Sequence, residues 1–153
     1  MTQDARFEDA GDAPVALRAL DAADVPVISA LVQDAIFPAA EMRWEKSRRR
    51  FALLLNRFRW EQQGDTPERV QAVLAVEDVL KVSSQGIDRT DPDLVFSVLA
   101  LNWTPSEDGM GRLELTLAGD GAIALEVEAL EITLKDVTRP YGAVSGKAPT
   151  HPE

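Results

Sequence analysis

The sequence predicts an α+β domain that is mostly antiparallel β, with one N-terminal helix packed on a curved sheet or partly closed barrel. Apolar residues recur at helical spacing in one early segment, but from residue 42 onward they recur mainly at every second position. Turn-forming residues divide this second part into about seven short strands. A chain of 153 residues is long enough to bury the core of one such domain. The strand order stays open.

The helix is predicted directly after a short strand at 15–20. Its apolar stripe consists of Val25, Ile28, Leu31, Val32, Ala35 and Ile36. Asp21 or Asp24 can cap it, and Pro26 favours Asp24, because a proline is tolerated in the first turn, where no N–H is needed. We expect Pro38 to end the helix.

The longest early strand is predicted over 51–60, following a strand at 42–45 and a polar KSRR turn. The long strand is apolar on both sides as far as Leu55. Beyond that point Asn56, Phe58 and Trp60 alternate with Arg57 and Arg59. This change predicts a strand that begins between two layers and ends with its arginine side in water.

Later segments predict further strands. The β-branched residues of 70–84 favour two short strands meeting near Glu77 and Asp78, with a helix as the lesser alternative. A segment at 94–103, apolar on both faces, is predicted to be a central strand. Residues 112–134 predict a hairpin with Asp120-Gly121 supplying the positive φ angles of its turn. A later shift of apolar parity predicts a β-bulge near Glu128 and Ala129.

Composition limits the domain organisation and the function classes. We predict flexible tails at 1–13 and 142–153, around a single domain at 14–141. The chain has no cysteine, and its one histidine, His151, lies among prolines near the C-terminal end, so thiolate and histidine-based chemistry are excluded. No apolar run is long enough to cross a membrane, and the acidic first residues do not resemble a signal peptide. We therefore expect a cytoplasmic protein that does not bind membranes.

Four segments together resemble a small uncharacterised family, a domain of unknown function found mainly in alphaproteobacteria. They are ISALVQDAI (28–36), RFALLLNRFRWE (50–61), SSQGID (83–88) and GRLELTLAGDGAIALEVEALE (111–131). The resemblance covers most of residues 15–141 and implies a bacterial cytoplasmic protein. It implies no activity, cofactor or catalytic residue.

The basic residues are unevenly distributed. Seven of the sixteen lie within seventeen positions, and they are Arg43, Lys46, Arg48, Arg49, Arg50, Arg57 and Arg59. With Trp60 beside them, Arg48, Arg49, Arg50, Arg57 and Arg59 are the candidate partner-binding residues. The alternative is a solvated hairpin whose arginines pair with carboxylates of neighbouring strands. An acidic protein is the favoured partner, because a net charge of −10 repels nucleic acid.

The acidic residues could in principle support catalysis or metal binding. Glu114, Glu126, Glu128 and Glu131 alternate with core positions, which predicts solvent-facing side chains. Asp88, Asp91 and Asp93 do not follow the spacing of a calcium-binding loop, which favours turn-forming roles. The GAVSGK stretch (142–147) has one residue too few between its glycines for a phosphate-binding loop.

These observations predict no catalytic residue, metal or cofactor, and they favour a non-catalytic binding or adaptor module that uses a protein–protein surface. A small enzyme or ligand-binding protein with a pocket of carboxylates and asparagines, such as Asn56 and Asn102, is the first alternative. Nucleic-acid binding through the basic hairpin at 43–59 is the second. The oligomeric state stays open.

Overall fold

The structure is a computed structural model that describes residues 13–62, 66–88 and 90–142. The elements in chain order are β1 (Ala16–Ala19), α1 (Val25–Val32), β2 (Ile36–Pro38), β3 (Met42–Glu45), β4 (Arg50–Phe58), β5 (Glu68–Val76), β6 (Val79–Gln85), β7 (Val95–Pro105), β8 (Gly111–Leu117), β9 (Gly121–Val127), β10 (Ile132–Asp136) and β11 (Tyr141–Gly142). The predicted tails lie outside the described residues, apart from Ala13 and Gly142, as does His151. Their flexibility stays a prediction.

All strand pairs are antiparallel and belong to one sheet. Its order is β1-β10-β5-β4-β2-β7-β8-β9-β6, with β3 attached to β4 and β11 attached to β5. The sheet does not close, since β1 and β6 stand at its two ends. Mostly antiparallel architecture with a single α-helix is confirmed. The predicted number of about seven strands is wrong, because the described residues form eleven. Strands of two to four residues, such as β2 and β11, are too short to show a periodicity in the sequence.

The helix α1 packs Val25, Ile28 and Val32 into the core. Asp24 occupies its N-cap position, but its side chain makes no capping hydrogen bond. Instead, the carboxylate of Asp21 accepts a hydrogen bond from the Ala23 N–H at 3.1 Å and caps the 3-10 turn that precedes the helix. The prediction that Pro38 ends the helix is wrong. The helix ends at Val32, and the chain turns through Asp34, with φ of 63°, into β2.

Two short-range predictions for the second half of the chain need correction. The β8–β9 turn takes its positive φ angles from Gly119 and Asp120, at 82° and 66°, while Gly121 already begins β9. The expected bulge near Glu128 is absent from the described β9, which ends at Val127. The apolar parity shifts there because the chain crosses to the other half of the sheet and continues as β10. The two strands predicted within 70–84 are confirmed as β5 and β6.

The two halves of the sheet pack against each other through one apolar core. Leu53 and Leu74 from β4 and β5 face Leu101, Leu115 and Leu125 from β7, β8 and β9 across the same narrow gap. Alternate residues of β8 and β9 point inward, as their period of two predicts. No helix in the described part of the chain is long and apolar enough to cross a membrane.

Replacing a core leucine should cost far more stability than replacing a neighbouring surface residue. We expect Leu115→Ala and Leu125→Ala each to lower the free energy of unfolding by about 2–5 kcal/mol, because both side chains are buried. Glu126→Ala should change it by less than about 0.5 kcal/mol. Urea denaturation of the three variants measures the difference. Equal losses at Leu125 and Glu126 would contradict the assigned faces of β9.

Candidate partner-binding surface

The basic cluster of the sequence separates into two groups in the structure. Lys46–Arg48 form a 3-10 turn between β3 and β4, and Arg49 follows in the left-handed conformation, with φ of 54°. We call residues 46–49 the basic turn. Its neighbourhood matches the solvated-hairpin alternative, since Arg48 approaches Glu45 at 3.6 Å, Arg49 pairs with Glu128, and Arg50 lies 3.0 Å from Glu77. Exposed ion pairs of this kind contribute little to stability.

Arg57 belongs to the second group, and its predicted exposure is wrong. Its side chain is 0% exposed, because β4 continues the inward alternation of Phe51, Leu53 and Leu55 through position 57. The sequence predicts that the Arg57 side of β4 lies in water, because a charged residue is rarely buried unless it is paired. Here the pairing comes from residues that follow β4 and from distant β10.

All five N–H groups of the Arg57 guanidinium have acceptors. Nε and Nη2 donate to the two carboxylate oxygens of Asp136 at 3.0 and 2.9 Å. Nη1 and Nη2 donate to Glu61 at 3.0 and 2.7 Å, and Nη1 also donates to the Phe58 carbonyl at 2.9 Å. Burial lowers the pKa of Arg57, but the hydrogen bonds and charges of Glu61 and Asp136 outweigh it and raise the pKa above its ordinary value.

Arg59 is also buried, at 6% exposure, and pairs with Glu68 and Glu61. Arg57 and Arg59 therefore lie inside the protein and hold its own carboxylates. They are not on the same accessible surface as Arg48, Arg49 and Arg50.

The opposite face of β4 carries a different cluster, which centres on Trp60. The Trp60 Nε1–H donates to the Gln33 carbonyl at 2.9 Å, and its ring lies 5.5 Å from that of Phe58 at an angle of 41°. The Arg69 guanidinium lies over the Phe58 ring, 3.8 Å from its centre. We call this surface the aromatic platform, and its members are Ile36, Asn56, Phe58, Trp60, Arg69 and Tyr141.

Hydrogen bonds fix the polar members of the platform. The Asn56 Nδ2–H donates to the Tyr141 hydroxyl at 2.5 Å, and Arg69 Nη1 donates to both the backbone oxygen and the Oδ1 of Asn56 at 3.2 Å. The strand pairs Ile36↔Asn56, Phe58↔Arg69 and Tyr141↔Arg69 bring these residues onto one face. Asn102, the other amide singled out in the sequence, lies on the exposed side of β7 instead.

The platform presents apolar area and one cation to solvent. Ile36, Trp60 and Tyr141 are 36%, 37% and 38% exposed. No carboxylate in residues 13–62, 66–88 or 90–142 forms an ion pair with Arg69. Burial lowers the pKa of Arg69, against the smaller raising effects of the charges of Tyr141 and Asp34, yet an arginine stays charged at any physiological pH. Tryptophan, tyrosine and arginine are the residues that most often dominate the energy of protein interfaces.

Sequence reasoning identified Trp60 but missed Arg69 and Tyr141. Both lie outside the basic segment, on β5 and β11, and reach the platform only through strand pairing. Arg69, eight places before the predicted turn at Glu77, could have been aligned with Phe58 if β4 and β5 had been recognised as one hairpin. No comparable signal existed for the two-residue strand β11.

The acidic residues take structural roles in the described part of the chain. The Asp88 carboxylate accepts hydrogen bonds from the N–H and the hydroxyl of Thr90, which lower its pKa. Asp91 accepts from the Asp93 N–H at 3.0 Å. Glu114 and Glu126 face Arg112 at the surface. Within the described ranges no three histidine or acidic side chains group closely enough to hold a metal ion. Nearly all of the GAVSGK stretch lies outside these ranges.

A protein-family model described as "Protein of unknown function (DUF2948)" matches residues 15–151. The chain belongs to this family. The match includes every residue of the aromatic platform and of the Arg57 network, and it confirms the resemblance to a domain of unknown function. No curated protein and no solved structure matches the chain.

The folding stability should depend on pH through Glu61. Burial raises the pKa of Glu61, but its hydrogen bond with Arg57 and the charges of Arg57 and Arg59 hold it below the ordinary value of 4.5. The ionised carboxylate thus stabilises the fold above pH 4.5, and this contribution is lost as the pH falls through the folded-state pKa. We expect Glu61→Gln to be less stable than the wild type at pH 7, with a difference that shrinks below pH 4.5.

Urea denaturation at a series of pH values measures this dependence. Glu126→Gln, at an exposed position of β9, is the matched control and should track the wild type at every pH. A stability deficit of Glu61→Gln that stays constant down to acid pH would contradict the role given to the ionised carboxylate.

Proposed function

We propose that this DUF2948 protein is a non-catalytic binding module whose aromatic platform docks an acidic, partly apolar segment of a protein partner. The observation that carries the proposal is Arg69, a cation 3.8 Å from the centre of the Phe58 ring with no carboxylate of residues 13–62, 66–88 and 90–142 within ion-pair distance, although the charge of Asp34 acts on it. A partner carboxylate would complete this pair, and apolar side chains of the partner would cover Trp60 and Ile36.

The platform is suited to such a partner because little of it has to be ordered on binding. The hydrogen bonds to Gln33, Asn56 and Tyr141 already fix its side chains, so less conformational entropy is lost. An arginine that lies over an aromatic ring directs the edge of its guanidinium away from the ring, and only Nη1 of Arg69 donates to Asn56. A cation–π contact contributes about 0.5–1 kcal/mol when exposed and about 2 kcal/mol when a partner excludes water.

The first alternative is a small enzyme that uses carboxylates brought together in three dimensions. Asp136, Glu61 and Arg57 are such a group, but each of their hydrogen bonds is already directed at another member or at the backbone. This arrangement favours a structural role, which supports the module over the enzyme. We expect the module to act in the cytoplasm, since an acidic chain without cysteine needs no oxidising compartment.

Reversing the charge of the platform should abolish partner capture. We expect the immobilised wild-type chain to retain a partner from a lysate of its source organism, and the purified partner to bind Arg69→Glu about tenfold or more weakly. Arg48→Glu changes the net charge equally at the far end of β4, roughly 26 Å away at 3.3 Å per residue, and should bind like the wild type. Mass spectrometry identifies the partner, and calorimetry measures the affinities.

Equal affinities for the Arg69→Glu and wild-type chains would refute the platform as the docking site. Loss of binding in Arg48→Glu alone would move the site to the basic turn. Trp60→Ala provides a second test of the platform, because it removes apolar area without changing the charge.

Nucleic-acid binding through the basic turn is the competing use of the arginines. We expect the chain to bind single- or double-stranded RNA or DNA no more tightly than about 10 μM at roughly 50 mM salt, because the net charge of −10 repels phosphates. Fluorescence titration at roughly 50 and 200 mM salt measures this. Submicromolar, salt-sensitive binding that disappears when Arg48, Arg49 and Arg50 are all replaced by serine would establish nucleic acid as the ligand instead.

A further inference from the structure

A second surface lies between two strands that each lack a neighbour on one side. In the described part of the chain β3 pairs only with β4, and β6 pairs only with β9. Side chains of both strands line the same open cleft of about 400 Å³. Its apolar lining includes Met42, Trp44, Phe51, Val82, Ile87 and Ile123. Phe51 and Ile123 belong to the core, so the cleft reaches down to the packing between the two halves of the sheet.

Of the two strands that border the cleft, β6 begins close to the point where β3 ends. The Val79 N–H, at the beginning of β6, donates to the carbonyl of Arg49 in the basic turn at 2.8 Å. From this point β6 runs away from the turn, whereas β3 runs toward it and ends at Glu45. The borders are therefore antiparallel. The basic turn directly follows β3 and adjoins the start of β6, whereas the loop that carries Asp88 follows the end of β6 and lines the cleft.

An unpaired strand edge presents backbone N–H and C=O groups that an additional strand can bind. Recognition by strand addition uses these groups for affinity and adjacent pockets for alternate side chains. Here an unpaired edge and an apolar cleft occur side by side. The four residues of β3 and the seven of β6 set the length of a segment that could pair along either border.

Charge selects the kind of segment. Lys46 and Arg48 lie in the basic turn, next to the end of β3 and the start of β6, and the Arg48 side chain is 75% exposed despite its contact with Glu45. Asp88 lines the cleft after the end of β6 and has one carboxylate oxygen that accepts no hydrogen bond from Thr90. A segment with an acidic residue at one end and a basic residue at the other would complement both.

We propose that this cleft binds an extended peptide segment of a protein partner by strand addition, with alternate apolar side chains in the cleft and an acidic residue at the basic turn. The site is separate from the aromatic platform, which lies on the outer face of the opposite end of β4. It does not depend on the function proposed for that platform.

The test uses the full chain and a phage-displayed library of random heptapeptides. We expect enrichment of peptides with alternating apolar residues and a glutamate or aspartate near one end. The selected peptide, made synthetically, should bind Val82→Asp at least tenfold more weakly than the wild type. Leu80→Asp is the matched control, because Leu80 lies on the same strand but is 45% exposed and does not line the cleft. It should bind the peptide like the wild type.

A charge exchange keeps the test decisive if Val82→Asp does not fold. We expect Arg48→Glu, at a surface position, to weaken binding of the acidic peptide several-fold, and replacement of the peptide's acid by lysine to restore it. Arg69→Glu should leave peptide binding unchanged, so failure of the cleft and failure of the platform can be told apart. Amide hydrogen exchange followed by NMR should show new protection along β3 or β6 when the peptide is bound.

Three results would overturn the proposal. The library could yield no peptide that binds the wild type more tightly than it binds Val82→Asp and Arg48→Glu. The selected peptide could bind without protecting any amide of β3 or β6. The small apolar dye 1-anilino-8-naphthalenesulfonate could bind in the cleft while every selected peptide leaves it bound, which would indicate a small-molecule site.

Discussion

This fold depends on the hydrogen bonds and ion pairs of the buried Arg57 guanidinium. A charge in the interior is tolerated only when its hydrogen-bonding groups are satisfied and an opposite charge is close. Arg57 meets this condition with Asp136 and Glu61. Asp136 in turn accepts a hydrogen bond from the Val15 N–H at 2.8 Å, beside β1. One side chain therefore connects β4 to β10, to Val15 before β1 and to the residues after β4.

This network also explains why the outer face of β4 can act as a rigid surface. With Arg57 held inside, the alternation of the strand directs Asn56 and Phe58 outward, and the chain beyond β4 places Trp60 beside them. Arg69 and Tyr141 then join from neighbouring strands through hydrogen bonds to Asn56. The buried Arg57 and the half-buried Arg69 thus lie on opposite faces of the same sheet. Arg57 pairs with the protein's own carboxylates, whereas Arg69 lies over the Phe58 ring.

The unclosed sheet creates the second distinctive surface. A barrel removes strand edges by pairing every strand on both sides, whereas an open sheet must protect its edges in another way. At β6 the first residue is hydrogen-bonded to the basic turn, and the edge away from β9 borders an apolar cleft, with no partner strand among the described residues. The same opening that leaves an edge unpaired also gives access to apolar residues at the rim of the core. The two surfaces proposed as binding sites occupy opposite ends of β4.

The sequence by itself determined the local structure, because local structure depends on periodicity and turn chemistry that neighbouring residues already contain. The buried face of α1, the inward leucines of β8 and β9 and the division of 70–84 at Asp78 follow from spacing. The predicted stripe was too long, because Ala35 and Ile36 lie beyond the end of the helix. Only the tertiary structure decided which way Arg57 faces. A lone arginine favours water, but Arg57 points into the core because carboxylates as distant in sequence as Asp136 pair with it there. The tertiary structure also decided the members of the platform, because Trp60 meets Arg69 and Tyr141 through strand pairing that no periodicity encodes.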